Sequence, residues 1–207
     1  MENRYLAAID LGTNSFHIII VEVLENGTFR PVTREKESVR LGSGAGEVED
    51  ITFAAMERGI SCLKRFRLLA DSKGCSIRAV GTSALREAGN SAVFQQRVRE
   101  ETGIEIEIIN GYEEARLIYF GIIQGLPVFA KRILMIDIGG GSTEILVGEN
   151  GNVLFAKSFK MGAIRLTDRF FKKDKVNAID IKECRYYIDN LRYVGINRTN
   201  QWGHYSE

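Results

Sequence analysis

Read as alternating apolar and polar positions, the chain begins with two strand-like runs, Tyr5–Leu11 and Phe16–Leu24, rich in Ile, Val and Ala. Asn26-Gly27 is a strong signal for a tight hairpin turn and leads into a third strand, Thr28–Arg34. Residues Val39–Glu49, with their LGSGAGE run, read as a loop. From Thr52 to Ala70 the apolar residues Phe53, Met56, Ile60, Leu63 and Phe66 recur every three or four positions, which predicts an amphipathic helix. A strand over Ser76–Val80, a helix near Ser91–Glu101, a strand over Ile104–Ile108 and a helix near Tyr112–Ile123 follow. The pattern is α/β.

The opening then recurs. Ile9-Asp10-Leu11-Gly12-Thr13-Asn14-Ser15 is matched 127 residues later by Ile136-Asp137-Ile138-Gly139-Gly140-Gly141-Ser142. Each copy continues into an apolar strand and an Asn-Gly turn, Asn26-Gly27 in the first and Asn150-Gly151 in the second. A repeated strand–loop–strand–turn–strand unit implies two related halves, divided here as 1–125 and 126–207. The second copy runs on into helix-like stretches at Gly162–Phe171 and Ala178–Leu191, whereas Arg192–Glu207 lacks an apolar period and reads as irregular.

Composition narrows the class. The 207 residues are 44% hydrophobic and 27% charged, an ordinary globular balance. Lys plus Arg (28) nearly equals Asp plus Glu (27), which argues against a whole-surface nucleic-acid binder. Apolar runs fall well short of the roughly 18–20 residues of a membrane helix. Three scattered cysteines, Cys62, Cys75 and Cys184, suggest no disulfide framework, and no HExxH or Cys/His cluster suggests zinc. A cytoplasmic protein without membrane or nucleic-acid partners is the expectation. Lys157–Arg198 holds eleven Lys/Arg against five Asp/Glu, a local surplus that a polyanion or simple solvation would explain equally.

Candidate chemistry sits in the repeated loops. Small residues after a buried strand let backbone N–H groups approach an anion, and Ser, Thr or Asn add side-chain donors. Asp10 or Asp137 would repel a bare phosphate, but with Mg²⁺ between them the carboxylate becomes a ligand. One such loop is weak evidence; two facing each other would clamp a phosphate. Gly81-Thr82-Ser83-Ala84-Leu85-Arg86-Glu87-Ala88 places Thr82, Ser83 and Arg86 at another strand end, where Arg86 could fork a phosphate or simply pair with an acid. Asn110-Gly111-Tyr112-Glu113-Glu114-Ala115-Arg116 starts a helix with two carboxylates, which either complement the helix dipole or supply a general base for water.

At AAIDLGTNSFHIII (7–20), GTSALREAGN (81–90), NGYEEARLI (110–118) and LMIDIGGGSTEILVG (134–148) the sequence resembles the exopolyphosphatase/guanosine pentaphosphate phosphatase family (Ppx/GppA), over about residues 4–191. That family shares its superfamily with actin, the sugar kinases and the DnaK-type chaperones. The paired loops are common to the superfamily; the SALREA and EEARLI segments in order between them point to the family. The resemblance implies two ribonuclease-H-like (actin-like ATPase) lobes, with mixed sheets flanked by helices and a catalytic cleft between them. It implies hydrolysis of the terminal phosphate of inorganic polyphosphate or guanosine pentaphosphate, with a divalent metal, Mg²⁺.

Carried over residue by residue, Glu114 resembles the family's general base, and Asp10, Asp137 and Glu144 its metal-holding or water-positioning carboxylates. Thr13, Asn14, Ser15, Gly139, Gly140, Gly141, Ser142 and Thr143 resemble the phosphate cradle, with Arg86 beside it. His17 is expected to be a packing residue on its strand. Family members continue further, with another strand, a glycine-rich loop and more helices. The second lobe is therefore expected to be incomplete, leaving Ile133–Ile138 at an open edge beside an uncovered apolar face. Such an edge would permit a homodimer. Two other readings remain: a non-catalytic phosphate-binding fragment, and a nucleotide-binding actin-like module.

Overall fold

The computed structural model describes residues 4–42, 50–173 and 175–196. Its first sheet has the order β3-β2-β1-β4-β5. Strands β1 (Tyr5–Leu11), β2 (Ser15–Val23) and β3 (Phe29–Ser38) form an antiparallel meander. Strands β4 (Ser76–Gly81) and β5 (Ile106–Ile108) extend it in parallel beyond β1. Alternation along β1 and β2 sends Ala7, Ile9, Leu11, Phe16, Ile18 and Ile20 to one face. There they meet Met56, Ile60, Leu63 and Phe66 of α1 (Phe53–Asp71) and Phe94 and Val98 of α3 (Ser91–Thr102). Between β4 and α3 lies the short α2 (Ser83–Glu87).

The α1 periodicity holds, with one exception. Thr52 caps the helix by accepting from the Ala55 N–H at 3.2 Å, so Phe53 falls in the first turn and faces water. The Arg97 guanidinium lies 5.6 Å from its ring centre. The loop expected over Val39–Glu49 is only partly within the described residues, and there Val39 and Leu41 are buried in the first core. Strand β3 is longer than its apolar run because it is a polar, largely exposed edge that alternation does not mark.

The second sheet has the order β6-β7-β8, all antiparallel: β6 (Ile133–Ile138), β7 (Thr143–Glu149) and β8 (Asn152–Phe159). Its core partner is α4 (Gly111–Gly125), which comes from the 1–125 stretch yet packs on β7 and β8 through Ala115 and Tyr119. Among the described residues β6 has a strand on one side only, and Leu134, Ile136 and Ile138 are exposed. The edge and the exposed apolar residues expected there are seen among the described residues. Helices α5 (Ala163–Phe170) and α6 (Ala178–Ile196) pack on each other. Of the end expected to be irregular from Arg192, the residues up to Ile196 are helical as part of α6; the remainder lies outside the described residues.

Candidate active site

The repeat is reproduced strand for strand. Asp10 pairs with His17 across β1 and β2, and Asp137 pairs with Glu144 across β6 and β7. The intervening turns close alike, with Gly12 N–H donating to Ser15 O at 3.1 Å and Gly139 N–H to Ser142 O at 2.9 Å. Their tips meet between the lobes. A methyl group on Gly140 would lie 3.1 Å from Thr13 Cβ, and one on Gly141 would lie 2.5 Å from Ser83 Oγ and 2.7 Å from Thr13 Oγ1. A Cβ at Gly141 would force the loops to shift, whereas one at Gly140 would ask only a small displacement of Thr13.

Between the loops opens a cavity of about 470 Å³. Asp10, Thr13, Asn14 and Ser15 line it from one side, and Asp137, Gly139, Gly140, Gly141 and Ser142 from the other. Thr82, Ser83 and Glu114 complete it, joined by Lys36 and His17. His17, expected to be a packing residue on its strand, is instead exposed. Its strand register points it to the open face of the first sheet, where burial and the nearby Lys36 charge lower its pKa.

Asn110 explains Glu114. Its side chain caps α4 by accepting from the Glu113 N–H at 2.9 Å, fixing both glutamates in the first turn. Successive helical residues point about 100° apart, so the two acids diverge. Glu113 turns to Arg116 with two hydrogen bonds of 2.8 Å, whereas Glu114 turns into the cleft. Burial first, and then the Glu144 charge, push the Glu114 carboxyl up to about 7 against the opposing pull of Arg86. A carboxylate with that pKa is suited to accepting a proton near neutrality.

Arg86 does not line the cavity. It donates to Ile109 O at 2.8 Å and to Glu114 at 3.2 Å, so it stands behind the base rather than beside the cradle. Thr143 is likewise committed, donating to Met161 O at 2.9 Å while buried. Glu144 is 1% exposed and accepts from Ser158 Oγ at 2.7 Å and from Ser142. Burial raises its pKa, and those hydroxyls oppose the shift. Sequence reasoning missed Ser158, whose place beside Glu144 follows from the β7–β8 register. It also missed Lys36, which the pairing of β3 with β2 brings opposite His17.

Asp10 reaches the water of the cleft, yet surrounding protein, followed by the facing Asp137, pushes it up to about 6. Two acids held face to face make a place that a cation would relieve. Among the described residues no cluster of three or more His, Cys, Asp or Glu side chains converges as a metal cage. The donor set fits Mg²⁺ taken with water and phosphate oxygens, because that ion commonly uses one or two protein carboxylates. Its protein ligands would be Asp10 and Asp137; the Glu144 carboxylate already serves Ser158 and Ser142.

Two lobes built on one repeated hairpin unit, with small-residue loops meeting over a cleft, have the ribonuclease-H-like, actin-like architecture. The model of the Ppx/GppA phosphatase family matches residues 19–199, and the chain belongs to that family. It is 40% identical over 173 residues to a guanosine-5'-triphosphate,3'-diphosphate pyrophosphatase of Vibrio parahaemolyticus, covering 83% of this chain and 34% of that protein. An exopolyphosphatase structure from Cytophaga hutchinsonii superimposes with a TM-score of 0.88 at 35% identity, over 96% of this chain and 64% of that one. The Aquifex aeolicus Ppx-GppA enzyme gives 0.73 at 28% identity, over 90% and 62%. The chain thus spans about a third of the curated relative's length.

Proposed function

We propose that this chain carries the hydrolytic centre of a phosphohydrolase that releases the terminal phosphate of inorganic polyphosphate or guanosine pentaphosphate. The observation that carries the reading is Glu114, raised to about 7 and facing a cleft bounded by both repeated loops. The terminal phosphate lies between Thr13, Asn14 and Ser15 on one side and Gly139–Ser142 on the other. Their donors stabilise charge on its oxygens. Glu114 accepts a proton from the attacking water, and Arg86 holds the resulting carboxylic acid in place through its bond to that side chain. The distal phosphate and the water must be in line, so the work of the loops is chiefly positioning. A Mg²⁺ ion held by Asp10 and Asp137 would neutralise phosphate charge.

Three unpaired cysteines fit a reducing, cytoplasmic setting, and no described helix is long and apolar enough to cross a membrane. Both substrates present the same terminal phosphoanhydride to these loops, so the choice between them rests on contacts farther along the ligand.

The test is phosphate release with polyphosphate, guanosine pentaphosphate and ATP in parallel, with Mg²⁺, for the chain and its Glu114→Gln variant. Release from one of the first two, lost in the variant, is expected.

A further inference from the structure

The described part of the chain also contains a charged brace that crosses between the lobes behind the cavity. Arg165, in the first turn of α5, is 8% exposed. Its Nε donates to the Gly141 carbonyl at 2.8 Å, and its Nη2 donates to Glu87 Oε1 at 2.9 Å. Glu87 belongs to the first lobe, 78 residues away, at the end of α2. The same Oε1 accepts from Ser83 Oγ at 2.9 Å, and Oε2 meets Lys160 Nζ at 3.0 Å. One planar guanidinium therefore ties the second phosphate loop to the helix that carries Ser83 and Arg86. The backbone reinforces it: Gly162, Ala163 and Ile164 N–H donate to Gly141 O, Gly139 O and Gly140 O at 3.2, 2.8 and 2.9 Å.

We propose that Glu87 and Arg165 are positioning residues that fix the spacing of the two phosphate loops across the cleft. The inference rests on the hydrolytic reading of that cleft, and it assigns a role to residues outside the cavity lining. Its physical basis is the severity of misplacement: a shift of about 1 Å in a positioning group can cost on the order of 10²-fold in rate. Gly141 is tied to Arg165 on one side and lies against Ser83 and Thr13 on the other, so movement of the brace moves the cradle. Arg165 is buried, so losing Glu87 takes away the carboxylate that offsets its charge, which adds a reason for the two residues to act as a unit.

The experiment reads exchange and kinetics on the same variants: Glu87→Ala, Arg165→Met, their double, and the conservative Glu87→Gln and Arg165→Lys. Hydrogen–deuterium exchange of the 160–170 segment, which needs no turnover, is expected to quicken about tenfold at the amides of Gly162–Ile164 in Arg165→Met. In turnover, KM is expected to rise about tenfold or more in each truncation. The pH at which Glu114 loses its proton is expected to stay in place. The double variant should fall short of the sum of the singles, because both break the Arg165–Glu87 bond. Glu87→Gln, which keeps an acceptor, should recover most of the loss, and Arg165→Lys, which has no fork, should recover less.

Unchanged exchange in Arg165→Met with a folded circular-dichroism spectrum overturns the brace, as do additive losses in the double variant. Absence of phosphate release by the unmodified chain overturns the hydrolytic reading instead, and the exchange result still decides the brace.

Discussion

The two hairpin units at the cleft have nearly the same backbone and different chemistry. Asp10 and Asp137 occupy one register position, and His17 and Glu144 occupy the position across from each. Even the irregularity recurs, between Ile20 and Val21 in the first copy and between Val147 and Gly148 in the second. Yet His17 faces open water beside Lys36, whereas Glu144 is sealed under Ser158. The turns also have different supports. In the first, Asn14 O and Thr13 O accept from Arg40 and Gly42 N–H; in the second, the carbonyls accept from the start of α5. A shared strand register delivers matched acids, and what packs behind each turn decides what else the position can do.

The largest expected effect lies between the units rather than in either. Glu114→Gln keeps the shape of the side chain and removes the base, and a loss of about 10²–10⁴ in phosphate release is expected by single-turnover assay. Next comes a direct comparison of the turns. Gly141→Ala would drive a methyl group against Ser83 and Thr13, whereas Gly12→Ala meets only Ser15 O at 3.0 Å. A loss on the order of 10² is expected for the first. The loss for the second should be clearly smaller; equal losses would break the asymmetry.

The pH profile sharpens the contrast at the paired position. Phosphate release should rise with pH through about 7 as Glu114 ionises. Glu144→Gln removes a charge that holds Glu114 up, so the limb should move to lower pH. Arg86→Met removes a charge that pulls it down, so the limb should move to higher pH. His17→Ala should leave it where it was.

Stability responds in a smaller way. Because the folded pKa of Glu114 lies above its ordinary value of 4.5, its contribution is complete below about 4.5 and is lost as pH rises through about 7. Urea unfolding at pH 8 should therefore show Glu114→Gln more stable than the unmodified chain, by about 1–2 kcal/mol. Smallest of all, Ile136→Lys on the exposed face of β6 should change stability by no more than about 0.5 kcal/mol. In sedimentation at rising concentration it should associate less than the unmodified chain, and equal association would separate self-contact from this face.

Much of this was legible beforehand because it is local. The 3.6-residue period gave α1, the Asn-Gly turns gave the hairpins, and the repeated loops marked the cleft. The choice of Glu114 over Glu113 was also available through the motif, and the Asn110 cap supplies its geometric reason. Phe53 matched the period but fell beyond the buried face, since periodicity cannot say where a cap begins the helix. Arg86 and Thr143 were expected to hold phosphate, and each instead bonds within the protein. A donor's residue type says that it will bond, and not to what.

The sequence by itself determined the two copies, their acids and their glycine turns, since each depends on neighbours a few residues away. Only the tertiary structure decided that α4 crosses to the second sheet, that Arg86 stands behind Glu114, and that Arg165 reaches Glu87. Those facts join residues far apart in the chain, and no local pattern encodes such a distance. They are settled when apolar faces find their partners and buried charges must find theirs.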